Sequence, residues 1–148
     1  MHALKIAIAS GKGGTGKTML ATSLAASLAD MTSIQFYDCD VEAPNAHLFL
    51  KPSILATSPA VIHIPEIDPA LCTACGRCVD VCEFHALAQI MEKILVFDQL
   101  CHGCGSCTLQ CPENAITDKE KVIGQLRTGM AGGHIHYFMG ELSISEPM

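Results

Sequence analysis

Eight of the nine cysteines of this chain fall into two copies of one spacing. Cys72, Cys75, Cys78 and Cys82 read C-x2-C-x2-C-x3-C; Cys101, Cys104, Cys107 and Cys111 repeat it, with Pro112 directly after the last. Four thiolates gathered within one short loop and turn form the donor set of a cubic iron–sulfur cluster. Where two such runs occur together, the fourth cysteine of each ligates the cluster of the other run. The spacing therefore predicts two 4Fe-4S clusters, one on Cys72, Cys75, Cys78 and Cys111, the other on Cys101, Cys104, Cys107 and Cys82. A zinc ribbon more commonly uses two separated C-x2-C pairs. A disulfide framework suits a small exported scaffold, and the apolar run at residues 4–9 is too short for the core of an export signal. Cys39 lies far from both runs and reads as a buried thiol.

The repeat extends beyond the cysteines. Leu71 aligns with Leu100, Gly76 with Gly105, Ala86 with Ala115 and Leu87 with Ile116, all at one constant offset. This is an internal duplication with pseudo-twofold symmetry, and over residues 66–118 it resembles the bacterial-type two-cluster ferredoxins. Glu83 follows Cys82 where that family usually has proline, which loosens one turn and removes no ligand. The run Ile94, Leu95, Val96, Phe97, Asp98 lies between the two cysteine runs and reads as the connecting hairpin strand of that scaffold. His85 and His102 flank the cysteines and read either as groups tuning a cluster or as surface residues.

The other chemistry-bearing segment lies near the start. Residues 4–9 form an apolar run suited to a buried parallel strand. Gly11, Lys12, Gly13, Gly14, Thr15, Gly16, Lys17 and Thr18 then match G-x4-G-K-[ST] in full. In such a loop backbone N–H groups face phosphate oxygens, Lys17 reaches the β- and γ-phosphates and Thr18 offers its hydroxyl to Mg2+. Residues 19–29, rich in Leu and Ala, predict a helix whose N-terminus carries that loop. A second strand at residues 34–37 runs into Asp38, Cys39 and Asp40. Carboxylates just past the end of a parallel strand sit where open α/β sheets bind ligands. One of them can serve Mg2+ or the attacking water; the alternative for Asp38 is that it caps the following turn.

The additional lysine, Lys12, beside the first glycine makes the loop similar to the deviant phosphate loop of the MinD/ParA/Mrp ATPases. The segment D-C-D-V-E-A-P-N over residues 38–45 is similar to the switch region of that class. Within it the chain looks like MinD-superfamily ATPases that carry a ferredoxin domain inserted after the second strand. The resemblance implies ATP as ligand and a nucleotide-bridged homodimer in which Lys12 contacts phosphate across the interface. It also implies Lys12, Lys17 and Asp40 as catalytic residues, with Asp40 serving Mg2+ and water and Asp38 in support.

The chain departs from that class in lacking a second strand-plus-aspartate motif after residue 118. The sheet is also short, with two parallel strands before the insertion and strand candidates at residues 122–126 and 134–139 after it; a doubly wound domain uses five or six. The expected fold is α/β: an incomplete parallel-sheet core with a deviant Walker A loop at residues 1–58, an inserted two-cluster 4Fe-4S ferredoxin-like module at 59–118, and a return segment at 119–148. Residues 51–65 read as a linker containing a short strand at 60–64. The chain reads as the N-terminal portion of a protein about twice as long, completed by a partner chain or by sequence outside it.

Composition agrees. A hydrophobic content of 49% and a mean hydropathy of +0.33 suit buried strands. A net charge of −6 argues against a nucleic-acid partner, and no apolar stretch is long enough to span a bilayer. Nine cysteines without an export signal point to a reducing cytoplasm. His134 and His136 share one strand face without a third ligand and read as a structural or solvated pair. Three functions fit these parts: electron transfer coupled to ATP binding and hydrolysis, with a redox partner protein unidentified; an Mrp-type cluster carrier; or a ferredoxin-like electron carrier with a silent ATPase remnant.

Overall fold

The computed structural model describes residues 4–143. Its elements run α1 (Lys17–Leu28), β1 (Ile34–Asp38), α2 (Ala46–Leu50), β2 (Ser53–Ile67), α3 (Arg77–Asp80), β3 (Leu87–Ile90), β4 (Lys93–Val96), α4 (Ser106–Gln110), β5 (Ile116–Ala131) and β6 (Ile135–Leu142). The chain divides into two units, one comprising residues up to Pro59 with Gly124–Leu142, the other comprising Ala60–Ile123.

In the first unit, β1 pairs in parallel with β6, and β6 pairs antiparallel with β5. The strand order β1-β6-β5-β2 makes this sheet mixed, which corrects the expected parallel core. The difference arises at Gly132 and Gly133, whose left-handed φ values of 56° and 77° reverse the chain between β5 and β6. A hairpin joins antiparallel strands, whereas a parallel pair needs a long crossover. Cross-strand aromatic pairs fix the β1–β6 register. Phe36 stacks on Tyr137 at 5.8 Å, and Tyr37 on Phe138 at 4.7 Å. Such pairs add about 0.5–1.5 kcal/mol beyond the area they bury. Tyr137 is fully buried with Ala46 and Met139. Ala25 of α1 packs with Ala131 and Ile135. Thr22, buried on the same helix, donates its hydroxyl to Thr18 O at 2.7 Å and so leaves no orphan polar group.

Two expectations change here. Residues 4–9 carry no secondary structure, and Leu4 and Ile6 are 86% and 58% exposed. An apolar run becomes a buried parallel strand when strands on both sides take up its backbone groups, and among the described residues none flanks it. The expected linker at residues 51–65 is instead the greater part of the 15-residue strand β2. Pro59 and Pro65 made it look irregular; β2 lies at the edge of the sheet, the position where a missing N–H is tolerated.

In the second unit, β3 and β4 form an antiparallel hairpin; the hairpin strand expected at residues 94–98 is β4, which ends at Val96. The duplication is built into the backbone. Gly76 (φ 80°) and Gly105 (φ 72°) precede α3 and α4, and Cys78 and Cys107, each 8% exposed, share one core with Leu87 and Ile116. His85 and Asn114, again at the constant offset, have left-handed φ values of 52° and 50°. Among the described residues no helix is long and apolar enough to cross a membrane.

Candidate functional site

The loop of residues 10–16 enters α1 through Gly16, whose φ of 86° lies in the left-handed region that glycine adopts without penalty. Gly14 shares this conformation at 72°. No side chain caps α1, so the amides of its first turn are open to an anion. A Cβ on Gly11, Gly13, Gly14 or Gly16 would meet nothing within 4 Å, so the space beside the loop is free.

Lys17 folds back over the loop. Its Nζ donates to Ser10 Oγ at 3.1 Å and to Lys12 O at 3.4 Å, while Thr15 Oγ1 donates to Ser10 Oγ at 2.7 Å. The Ser10 hydroxyl in turn donates to Lys12 O at 2.8 Å. Loop conformation and lysine position are thus set by one local network. Ser10 is outside the motif, and its only signal in the sequence is its place directly before Gly11.

Asp38 ends β1 and is half-buried, with both oxygens occupied. Oδ1 accepts the Asp40 N–H at 3.2 Å, and Oδ2 accepts the Ala46 N–H at 3.1 Å, across the segment from β1 to α2. This is the turn-capping alternative for Asp38. Asp40 is exposed and accepts a longer bond from the Ala43 N–H at 3.4 Å. The Tyr137 phenol, beneath Asp38, is pushed up to about 12 by burial and by that carboxylate; the sequence carried no sign of it. Among the described residues no hydrogen bond joins Asp38 or Asp40 to the loop. Cys39, expected buried, is exposed, because β1 ends one residue earlier and the chain turns out of the sheet.

The eight repeated cysteines surround two open cavities. Cys72, Cys75, Cys78 and Cys111 line one. Cys82, Cys101, Cys104 and Cys107 line the other. Each cavity therefore takes three cysteines from one run and the fourth from the other. Among the described residues no three His, Cys, Asp or Glu side chains stand close enough to clasp a single metal ion; the thiols are spread round open space.

The crossing cysteines share one environment. Ala86 N–H donates to Cys82 Sγ and Ala115 N–H to Cys111 Sγ, both at 3.3 Å. Burial pushes the thiols of Cys78 and Cys107 up, favouring the protonated form until a positive centre replaces the proton. Cys104 is pushed down by the Ser106 hydroxyl, 3.5 Å from its sulfur. His102 stacks on Phe84 at 4.0 Å beside the second cavity, whereas His85 is exposed. His134 and His136 are exposed, in agreement with a solvated pair.

Comparison with known proteins places these features in a lineage. An uncharacterized protein of Methanocaldococcus jannaschii is 37% identical over 144 residues, covering 97% of this chain and 50% of that protein. A second uncharacterized protein of the same organism is 30% identical over 122 residues, 82% of this chain and 43% of that one. An uncharacterized ferredoxin from that organism is 39% identical over 57 residues, 36% of this chain and 74% of the ferredoxin. The chain thus spans about half the length of the full-length relatives it matches. The family model of the CobQ/CobB/MinD/ParA nucleotide-binding domain matches residues 6–131, which include the phosphate-loop motif, β1 and both cysteine runs. This chain belongs to the CobQ/CobB/MinD/ParA nucleotide-binding domain family.

Proposed function

We propose that this chain is an electron-transfer protein with two 4Fe-4S clusters, and that ATP binding at residues 11–18 acts on those clusters. The observation that carries the reading is the division of eight thiols into two sets of four, each round its own cavity. The donor chemistry fits an iron–sulfur group: four sulfurs per cavity, with a backbone N–H directed at each crossing sulfur. Cys72, Cys75, Cys78 and Cys111 would hold one cluster, and Cys101, Cys104, Cys107 and Cys82 the other. Bound there, such clusters store and pass single electrons. The similarity to a ferredoxin over 57 residues supports the assignment of residues 59–118 as an inserted ferredoxin-like module.

The chain's own groups have separate tasks. Backbone amides at Gly13, Gly14, Thr15 and Gly16 meet phosphate oxygens. Lys17 exchanges Ser10 for the β- and γ-phosphates, and Thr18 offers its hydroxyl to Mg2+. Lys12 reaches phosphate in a nucleotide-bridged dimer. Asp38 holds the segment that carries Asp40, and the exposed Asp40 carboxylate serves Mg2+ and the attacking water. A separate redox protein would exchange electrons with it.

The test is an anaerobic redox titration followed by electron paramagnetic resonance, with and without MgATP. A nucleotide-dependent change in potential or lineshape is the expected result. Two low-potential clusters indifferent to MgATP would leave a ferredoxin-like carrier with a silent loop. Ready transfer of the clusters to an apo-acceptor would favour a carrier of the Mrp type.

A further inference from the structure

The two cavities are related by duplication, but their walls are not equally charged. At one pair of equivalent positions the first cavity has Arg77 where the second has Ser106. At another, Asp118 lines the second cavity where the first repeat carries the neutral Gln89. At a third, Glu113 lines the first cavity and Phe84 the second. Arg77 and Glu113 leave the first wall with no net formal charge. Asp118 has no such counterpart on the second.

Asp118 is solvent-exposed and oriented by one hydrogen bond. Its Oδ1 accepts the Thr108 hydroxyl at 3.0 Å, next to Cys107. The neighbouring Lys119 is turned to Asp98, 3.6 Å away, and among the described residues no cation pairs with Asp118. Gln89, by contrast, spends its amide on the first cysteine loop, donating to Ala74 O at 2.8 Å. A carboxylate fixed at a redox site disfavours the more negative, reduced state. The Ser106 hydroxyl beside Cys104 works in the opposite sense, but it acts on one sulfur, whereas an uncompensated charge acts on the whole group.

We infer that the two sites are electrically unequal: the Cys82, Cys101, Cys104 and Cys107 site has the lower reduction potential because Asp118 lines it without a compensating cation. The inference rests on the cluster assignment above. One electron on the pair then resides at the Cys72, Cys75, Cys78 and Cys111 site; its transfer there oxidises the Asp118 site and reduces the other, with no proton moved. The duplicated unit is directional, the Asp118 site being the stronger donor.

The test is an anaerobic redox titration of the full chain, with the parent and both variants measured at one fixed pH. Two separate one-electron waves are expected. Asp118→Asn should raise the lower wave and leave the upper one in place; Arg77→Gln should lower the upper wave and leave the lower one. Coincident waves, or an upper wave that moves in Asp118→Asn, would overturn the inference. Iron and sulfide content below two full clusters in the unsubstituted chain would overturn the cluster assignment itself, and the inference with it. Equal iron in both variants and the parent shows that any shift is electrostatic and not a loss of folding.

Discussion

Lys17 Nζ lies 3.1 Å from Ser10 Oγ, so the ammonium that would grip phosphate is held by a hydroxyl of its own loop. The lysine is half-buried and its tether is neutral, so an incoming phosphate exchanges a weak partner for a charged one. A charge-assisted hydrogen bond is worth about 1.5–3 kcal/mol. Lys17→Ala should therefore weaken MgATP binding by roughly 10- to 150-fold, measured by calorimetry. Iron content should be unchanged; iron lost with the nucleotide would show that the two units do not bind independently.

Crossed membership of the cavities makes a prediction that uncrossed membership reverses. Cys111→Ser should remove the resonance signal of the site lined by Cys72, Cys75 and Cys78. Cys82→Ser should remove that of the site lined by Cys101, Cys104 and Cys107. Pairing each serine variant with the potential assigned to each site decides the matter, and damage confined to the variant's own run would refute the assignment.

Gly76 and Gly105 occupy equivalent left-handed positions but have unequal surroundings. A Cβ on Gly76 would come within 2.9 Å of Gln89 Oε1, whereas one on Gly105 would meet nothing within 4 Å. Both alanine variants incur the left-handed backbone cost of about 1–2 kcal/mol. Gly76→Ala must also displace the amide that clasps the first cysteine loop. In anaerobic denaturant titrations it should be the less stable of the two, and equal stabilities would show that Gln89 moves freely.

Asp38 joins the start and the end of the segment between β1 and α2 by accepting the Asp40 and Ala46 amides. Each bond to a carboxylate is worth about 1.5–3 kcal/mol where it is shielded and less where water competes. Asp38→Ala should lower stability by about 1–3 kcal/mol and speed hydrogen exchange at the Ala46 amide. Unchanged exchange at Ala46 would show that the segment holds itself.

Burial and the Asp38 carboxylate raise the Tyr137 phenol from 10.0 to about 12. The folded state thus keeps a proton that the unfolded state gives up. The resulting stabilisation is fully present below pH 10 and disappears as pH rises to about 12. Stability of the first unit should fall across that window, and Tyr137→Phe should flatten the fall. The difference in tyrosinate absorbance between parent and variant should show a step near pH 12; a step near pH 10 would count against a buried phenol.

The grouping of the thiols was more legible in the sequence than the sheet. Cysteine spacing is a local code: Gly76 and Gly105 set the turns, and Ala86 and Ala115 bring amides to sulfur, all within a few residues of the thiols concerned. The phosphate loop and α1 are local in the same way. Strand partnership is not local. Residues 4–9 have the composition of a buried strand but gain nothing without neighbours on both sides, and β2 hides behind two prolines that only its edge position permits. The parallel pairing of β1 with β6 joins residues far apart in the chain, and its aromatic stacking partners are visible only once the register is known. Asp118 could have been noticed as the acidic counterpart of Gln89, but its meaning depends on which cavity it lines.

Crossed membership also sets a schedule for synthesis. Were each run to enclose its own cavity, the first would have all its thiols as soon as Cys82 had been added to the growing chain. Instead the first waits for Cys111 and the second for Cys107. Both sets are completed within the same short stretch of translation, so a nascent chain passes from no complete site to two almost at once, and a chain interrupted between the runs holds neither.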